Sequence, residues 1–121
     1  MNALPENVSG LRVSVIGGGS WGTAFARMLA RSGAATELVC REAEQAAAIN
    51  RTRKNPDYLR DVTLPASLTA ATFAENTLAD AELAVVAVPS RVYREVIHGL
   101  APRINPQAAV LSLSKGLSRG V

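Results

Sequence analysis

Three glycines, Gly17, Gly19 and Gly22, have the spacing Gly-x-Gly-x-x-Gly, which is typical of a backbone turn that holds phosphates. Gly17 lets the chain turn sharply off a strand, and a side chain at Gly19 would stand between the backbone and a pyrophosphate. A side chain at Gly22 would push the following helix away from the sheet, while the free N–H groups of that helix's first turn would face the phosphates. The spacing predicts a dinucleotide site; the alternative is a glycine-rich turn without a ligand.

Two side chains inside this turn are able to contact a bound nucleotide. Ser20 is suited both to cap the following helix and to donate a hydrogen bond to a phosphate. Trp21 places a large aromatic ring at the rim, where it either covers a ligand or packs against neighbouring loops. We include both residues in the predicted cofactor site.

The residue about 20 positions beyond the turn distinguishes NAD from NADP in such sites, because it meets the ribose 2′ position. That position falls on Arg41, at the end of the second predicted strand. A guanidinium matches phosphate oxygens with paired hydrogen bonds, so Arg41 favours the 2′-phosphate of NADP. Glu42 follows directly, and if Glu42 met the ribose instead, NAD would be preferred.

Pro89 and Lys115 each follow a predicted strand, and ligands of open α/β sheets bind at the carboxyl ends of strands. Pro89 delays the next helix and keeps the backbone near a cofactor. Lys115 is able to neutralise a substrate phosphate or polarise a carbonyl; the alternative is a lysine that simply ends an exposed strand. The lone cysteine, Cys40, is expected in the core, and the lone histidine, His98, is expected to be half-buried or at the surface, so no metal site is predicted.

Strands alternate with helices along the chain, which indicates βαβ units and a parallel sheet covered on both faces. Predicted strands cover 11–16, 37–41, 69–73, 83–88 and 108–113, and predicted helices cover 20–32, 42–51 and 91–100, with a short helix near 75–78. A long loop spans 52–67. We predict an α/β fold with a Rossmann-type doubly wound parallel sheet, in which residues 1–10 form an N-terminal arm and residues 11–121 the NAD(P)-binding domain.

The first predicted helix has a distinct apolar face and a distinct end. Ala24, Phe25, Met28 and Leu29 share one side of the helix, so we expect them to face the sheet. Gly33 is expected to end the helix in a left-handed conformation. No helix is predicted to cover the last strand, so we expect the sheet to be truncated and the chain to be a fragment of something larger.

The composition fits a single globular domain and excludes several function classes. The chain has 121 residues, of which 48% are hydrophobic and 19% charged. A net charge of +3 with only 4% aromatic residues argues against nucleic-acid binding, because bases need stacking platforms. The basic cluster Arg51, Arg53 and Lys54 is either solvated or in contact with a phosphorylated ligand. The longest apolar run is too short for a membrane span, and one cysteine without a secretory signal predicts a cytoplasmic setting.

The residues of the glycine turn also carry a family resemblance. The segment from Gly17 to Ala24 resembles the Gly-x-Gly-Ser-Trp-Gly-Thr-Ala loop of bacterial NAD(P)-dependent glycerol-3-phosphate dehydrogenase. The similarity extends from about residue 11 to the end of the chain, as expected of the N-terminal cofactor domain of that enzyme. Further segments fall in the family's order and spacing, namely Ile49-Asn50, Asn55, Tyr58-Leu59, Leu64-Pro65, Ala87-Val88-Pro89-Ser90 and Ser114-Lys115-Gly116-Leu117.

The resemblance implies reversible hydride transfer between NADPH or NADH and dihydroxyacetone phosphate, giving glycerol 3-phosphate for phospholipid synthesis. By that similarity Ser20, Trp21 and Arg41 would contact the cofactor, and Tyr58 would close over its adenosine end. Lys115 would touch both cofactor and substrate and help to polarise the C2 carbonyl. The family's acid–base lysine lies in a helical C-terminal domain that this chain lacks, so we expect no catalytic residue and no turnover here. The whole protein is expected to be a homodimer.

Three positions depart from the family pattern. Arg60-Asp61 stand where Pro-Gly usually follows Tyr-Leu, which leaves the conformation of the long loop open. Glu42 stands where a second basic residue often follows, which weakens the preference for NADP without reversing it, and Ser118 stands where glutamate is common. Two other functions stay open: a non-catalytic dinucleotide-binding module, and another dehydrogenase of the 6-phosphogluconate type.

Overall fold

The computed structural model describes residues 8–75 and 78–113, which form a five-stranded parallel sheet in the order β3-β2-β1-β4-β5. The strands are β1 (Arg12–Ile16), β2 (Ala35–Cys40), β3 (Leu68–Thr72), β4 (Leu83–Val86) and β5 (Ala109–Ser112). The helices are α1 (Ser20–Arg31), α2 (Ala43–Thr52) and α3 (Ser90–Leu100), with 3-10 turns at Leu78–Asp80 and Ala101–Arg103. This is the doubly wound order of a Rossmann-type sheet, so the predicted fold class is confirmed.

The two faces of the sheet pack against different helices. Alternate residues of a strand point to opposite faces, and Val15 of β1 faces one cluster while Ile16 faces the other. The first cluster joins β1, β2, β3 and β4 to α1 and α2, with Leu29 and Ile49 as its largest helical members. The second joins the same sheet to α3, where Leu100 is buried and Val92, Val96 and Ile97 are partly buried. These four residues form the apolar face of α3 that packs on the sheet.

The face predicted for α1 is wrong in part. Leu29 is buried as expected, but Ala24 is exposed and Met28 is 46% exposed. The buried residues of α1 are instead Gly22, Thr23, Ala26, Leu29 and Ala30. Apart from Leu29, the buried side consists of small residues, and it begins at Gly22, which lies against the carbonyl of Gly17.

The end of α1 follows the predicted geometry. Gly33 has φ = +100°, and its N–H donates to the Ala30 carbonyl at 3.0 Å while the N–H of Ala34 donates to the Leu29 carbonyl at 3.1 Å. This pair of bonds is the Schellman motif, in which glycine avoids the steric cost of a left-handed residue. The chain before β1 packs beside this end: Val8 is only 6% exposed and belongs to the first cluster.

Candidate cofactor-binding site

The turn between β1 and α1 packs directly against the chain that leaves β4. Gly17 has φ = +117°, and a Cβ built on it would lie 2.3 Å from the carbonyl oxygen of Ala87. A Cβ on Gly22 would lie 1.9 Å from the carbonyl oxygen of Gly17. Both distances are far inside van der Waals contact, so the chain approaches β4 and begins α1 here only because positions 17 and 22 lack side chains. The structure gives these two glycines the packing roles expected from their spacing.

Gly19 differs from the other two glycines of the motif because its surroundings are open. A Cβ built on Gly19 would meet none of the described atoms within 4 Å, and its φ of −79° is accessible to any residue. Packing therefore does not account for glycine at this position, and the open space would allow a ligand to approach the backbone closely. Gly19 is the N-cap of α1, whose first turn contains no acidic residue. This open backbone and helix start fit a pyrophosphate, which the helix N–H groups and dipole attract.

A buried amide network lies beneath the turn. The carbonyl oxygen of Gly18 accepts hydrogen bonds from Gln45 Nε2 at 2.9 Å, Asn55 Nδ2 at 3.0 Å and Thr23 Oγ1 at 3.3 Å. Asn55 is fully buried and Gln45 is 7% exposed. None of these three side chains is predicted as a site residue, because a sequence does not reveal which polar residues of a loop become buried. The available local signal is the pair Asn55-Pro56, which marks a turn.

The long loop after α2 is connected to the turn through Asn55. Its Oδ1 accepts hydrogen bonds from the backbone N–H groups of Asp57 at 3.0 Å and Tyr58 at 3.3 Å. Asn55 therefore links the backbone of Tyr58 to the turn, because it also donates to the Gly18 carbonyl. The side chain of Tyr58 is 44% exposed. Trp21 is 61% exposed, so the alternative in which neighbouring loops bury its ring is wrong. Both aromatic rings are accessible to a ligand at the rim.

Arg53 stabilises the same loop from within. The residue has φ = 63° where α2 ends, and its guanidinium donates to the carbonyl oxygens of Pro65 and Leu68. Its own carbonyl accepts a hydrogen bond from the N–H of Leu64 at 2.7 Å. Arg53 therefore stabilises the loop conformation, whereas Arg51 and Lys54 are exposed.

Arg41 and Glu42 lie at the same edge of the sheet as the turn. The N–H of Gly17 donates to the carbonyl of Val39 at 2.9 Å, and β2 ends one residue later at Cys40. Arg41 and Glu42 come next, and both side chains are exposed. Arg41 is thus the first residue beyond β2, one residue past its predicted place as the last residue of the strand, and Glu42 follows as the N-cap of α2. Both side chains are therefore exposed at the edge where a ribose would lie.

Pro89 lies where the chain leaves β4, on the other side of β1. The N–H of Ala87 donates to the carbonyl of Ile16 at 2.8 Å, and Pro89 then forms the N-cap of α3. The connections from β1 run to α1 on one face and those from β4 to α3 on the other, so the chain switches faces between these two strands. Ligands of doubly wound sheets bind at such a switch point. Pro89 is exposed at its rim.

The remaining candidates divide between core, surface and the undescribed part of the chain. Cys40 is buried, and burial together with the nearby Asp57 charge raises the pKa of its thiol to about 12, so it is a protonated core residue. His98 is exposed on α3. Lys115 lies outside the described residues. Within residues 8–75 and 78–113, no group of three or more His, Cys, Asp or Glu side chains could hold a metal ion, and no helix is long and apolar enough to cross a membrane.

Comparison with protein families gives a match over almost the whole chain. Residues 12–121 match the family described as NAD-dependent glycerol-3-phosphate dehydrogenase N-terminus. A glycerol-3-phosphate dehydrogenase (NAD(P)+) of Acinetobacter baumannii (strain SDF) is 45% identical over 112 residues, which cover 93% of this chain and 31% of that protein. One of Frankia casuarinae is 44% identical over 109 residues, 90% of this chain and 32% of that protein.

Solved structures agree with these sequence matches. The crystal structure of a glycerol-3-phosphate dehydrogenase from Coxiella burnetii has a TM-score of 0.78 at 28% identity, covering 85% of this chain and 32% of that one. An arogenate dehydrogenase of Synechocystis shares the fold alone, with a TM-score of 0.62 at 20% identity over 84% of this chain and 32% of that one. The chain thus spans about a third of the length of its relatives.

Proposed function

The chain belongs to the NAD-dependent glycerol-3-phosphate dehydrogenase family, whose N-terminal part it matches, and we propose that residues 11–121 form the NAD(P)-binding domain of such an enzyme, preceded by an arm of residues 1–10. The observation that carries the proposal is the open backbone at Gly19, directly before a helix start without acidic residues. Packing explains glycine at positions 17 and 22 but not at position 19, which supports close approach of a ligand to the backbone of Gly19.

We propose that the cofactor lies along the carboxyl edge of the sheet. The N–H groups at Gly19, Ser20 and Trp21 would bind the pyrophosphate, with the Ser20 hydroxyl as a further donor. The exposed rings of Trp21 and Tyr58 would cover the nucleotide, Tyr58 at the adenosine end. Pro89, at the rim of the switch point, would hold the backbone near the nicotinamide half of the cofactor. Covering the cofactor would exclude water from the site. Exclusion of water strengthens the electrostatic contacts inside the site and prevents side reactions during hydride transfer.

For the whole protein we propose the glycerol 3-phosphate dehydrogenation that its relatives are named for. The family resemblance implies that dihydroxyacetone phosphate is the other reactant and that the glycerol 3-phosphate serves phospholipid synthesis. When bound, the reduced nicotinamide of NADPH or NADH would supply a hydride to C2 of dihydroxyacetone phosphate, and the oxidised form would accept it from C2 of glycerol 3-phosphate. We propose that Lys115 contacts cofactor and substrate together, because a cation beside the C2 oxygen stabilises the negative charge that develops there. The residues that complete the substrate pocket and the acid–base step are proposed to belong to the remaining two-thirds of the relatives' length.

NADP is the cofactor that we propose is preferred. The support is Arg41, an exposed cation that directly follows β2 at the edge where the ribose would lie. The positive guanidinium would attract the negative 2′-phosphate of NADPH. The negative carboxylate of Glu42 would repel that phosphate if Glu42 lay equally close to it.

Titration of the 121-residue protein with NADPH and NADH tests the proposal. Trp21 is the single tryptophan of the chain, so excitation of this residue with detection of nicotinamide emission reports on a cofactor bound beside the turn. We expect saturable energy transfer, stronger binding of NADPH than of NADH, and competition by inorganic pyrophosphate. Trp21→Phe is the control, which should abolish the transfer while calorimetry still detects binding. Failure of both cofactors to bind would overturn the proposal.

We further propose a cytoplasmic location and a homodimeric whole protein. The support for the location is Cys40, the single cysteine, which is buried as a thiol and suits a reducing compartment. The homodimer is what the family resemblance implies. Cell fractionation and sedimentation of the full-length protein test these two statements separately.

A further inference from the structure

We propose that Asn55 is a positioning residue for cofactor binding, because its side-chain amide sets the orientation of the peptide group between Gly18 and Gly19. The proposal rests on the proposed function, since it assigns a role to a residue that does not itself touch the cofactor. Asn55 has 0% exposure and contacts the carbonyl of Gly18, and it is not within 4 Å of the position that a Cβ on Gly19 would occupy.

The hydrogen bonds of Asn55 fix which end of its amide faces the turn. Its Oδ1 accepts from the N–H groups of Asp57 and Tyr58, at 3.0 and 3.3 Å, and a backbone N–H can only donate. The amide therefore cannot be reversed, and Nδ2 must face Gly18 and Thr23, to which it donates at 3.0 and 2.8 Å. Every donor and acceptor of this buried amide is used.

The orientation of the Gly18 carbonyl follows from this arrangement. Three donors converge on its oxygen from Asn55, Gln45 and Thr23, all of them buried side chains. In a trans peptide the C=O and the next N–H point in opposite directions. A carbonyl held inward therefore turns the N–H of Gly19 outward. The surroundings of Gly19 are also open, since a Cβ built on it would meet none of the described atoms within 4 Å.

This orientation matters for an anionic ligand. If the peptide rotated, the partly negative carbonyl oxygen would face the pyrophosphate and one N–H donor would be lost. Because glycine at positions 18 and 19 places few steric limits on such a rotation, side-chain hydrogen bonds must select the useful orientation. Asn55 supplies that selection and at the same time fixes the backbone of Tyr58, so it couples the long loop to the turn.

Asn55→Asp is the decisive variant, because it is nearly isosteric and preserves the acceptor that faces Asp57 and Tyr58. It replaces the donor to Gly18 with an oxygen, which repels the carbonyl. Asn50→Asp is a matched control with the same change of atoms and charge, since Asn50 Nδ2 donates to the Ala70 carbonyl at 2.9 Å and its Oδ1 accepts from the Ala70 N–H at 2.8 Å. Asn50 contacts β3 rather than the turn.

We expect Asn55→Asp to weaken NADPH binding by about tenfold relative to Asn50→Asp, as loss of a hydrogen bond that orients a ligand group typically does. Binding of 2′-AMP, which lacks a pyrophosphate, should be equal in the two variants, whereas general loosening of the fold would weaken both ligands. The carbonyl ¹³C signal of Gly18 should move in Asn55→Asp alone. Gln45→Met removes one of the three donors and should show a smaller loss, which keeps the test open if Asn55→Asp does not fold.

The outcomes separate the two proposals. Equal NADPH affinity in the Asn55 and Asn50 variants, with the wild type binding normally, would overturn the role of Asn55 and leave the proposed function standing. A wild-type protein that binds neither NADPH nor NADH would overturn the proposed function, and the role of Asn55 with it.

Discussion

The backbone of Gly22 lies against the carbonyl group of Gly17, so closely that a Cβ at position 22 would lie 1.9 Å from the oxygen and 3.0 Å from the carbon. The contact joins the first turn of α1 to the end of β1. Backbone atoms on both sides cannot move aside as a flexible side chain would, because each belongs to a packed element. The place at which α1 begins, and hence where its free N–H groups lie, depends on this contact.

Gly22→Ala tests this contact directly. The added methyl group forces α1 away from the sheet, and overpacking of this kind costs about 1–3 kcal/mol. We expect the free energy of unfolding, measured by urea denaturation, to fall by about 2 kcal/mol or more.

The control is Gly99→Ala in α3, where a Cβ would meet none of the described atoms within 4 Å. Alanine is the better helix former, so this variant should gain up to about 1 kcal/mol. If Gly22→Ala were as stable as the wild type, the close contact between Gly22 and the Gly17 carbonyl would not be required for the fold.

The sequence predicts the sheet and its connections well, because apolar β-branched runs and glycine punctuation are local signals. The bounds of β1 and the end of α1 at Gly33 agree closely with the structure. The buried side of α1 is not predictable in this way, since Met28 and Ala24 are apolar yet exposed. The buried side instead includes Gly22, whose close contact with the Gly17 carbonyl is not visible in a hydrophobicity pattern.

The residues of the candidate site also differ in whether the sequence alone reveals them. The glycine turn and Arg41 can be recognised from spacing, because a phosphate turn and a strand end have fixed sequence separations. The hydrogen-bonding role of Asn55 and Gln45 cannot be recognised from spacing. Both side chains are buried and donate to the Gly18 carbonyl, which is more than 25 residues away in the sequence. Polar residues of this kind in a loop look solvated until the fold is known.

Gly19→Ala should separate cofactor binding from folding. The backbone conformation at Gly19 suits alanine, and the methyl group would meet none of the described atoms within 4 Å. Loss of glycine at the N-cap and reduced entropy of the unfolded chain oppose each other, so stability should stay within about 1 kcal/mol. The methyl group would occupy the place of the pyrophosphate, and we expect NADPH binding to weaken by roughly tenfold to hundredfold. Unchanged affinity measured by Trp21 energy transfer would remove the turn from the cofactor site.

Arg41→Ala should reduce the preference for NADPH over NADH. The loss of a charge-assisted contact with the 2′-phosphate is expected to weaken NADPH by about tenfold and NADH by no more than about twofold. Glu42→Ala is the matched variant at the next position, and it should leave NADH unaffected if Arg41 meets the ribose. Calorimetry with both cofactors decides between the residues: a selective loss of NADH in Glu42→Ala would assign the ribose to Glu42 instead.

Cys40 should make the stability of the protein fall at alkaline pH. Burial raises the pKa of its thiol to about 12, whereas the ordinary value of 9.0 applies once the chain unfolds. The unfolded state therefore loses its proton first as pH rises, so the stability due to the neutral thiol is complete below pH 9 and decreases between about 9 and 12. Urea denaturation across this range should show a steeper decline for the wild type than for Cys40→Ala. A thiol reagent should modify the wild type only after unfolding, and fast labelling of the native protein would contradict the burial.

The two edges of the sheet differ in their protection, which predicts where the chain associates with itself. On β3, the Asn50 amide bonds to both the N–H and the C=O of Ala70, at 2.8 and 2.9 Å, and so covers part of that edge. On β5, Val110 is 53% exposed and the outer edge pairs with no other strand among residues 8–75 and 78–113. An apolar, unpaired edge favours strand pairing between copies, and a lysine there opposes it.

We therefore expect the 121-residue protein to self-associate as its concentration rises, and Val110→Lys to suppress this in sedimentation experiments. Thr69→Lys adds the same charge to an exposed position of β3 and should have no effect, because that edge does not mediate the contact. If both variants reduced association equally, net charge rather than the β5 edge would be the cause.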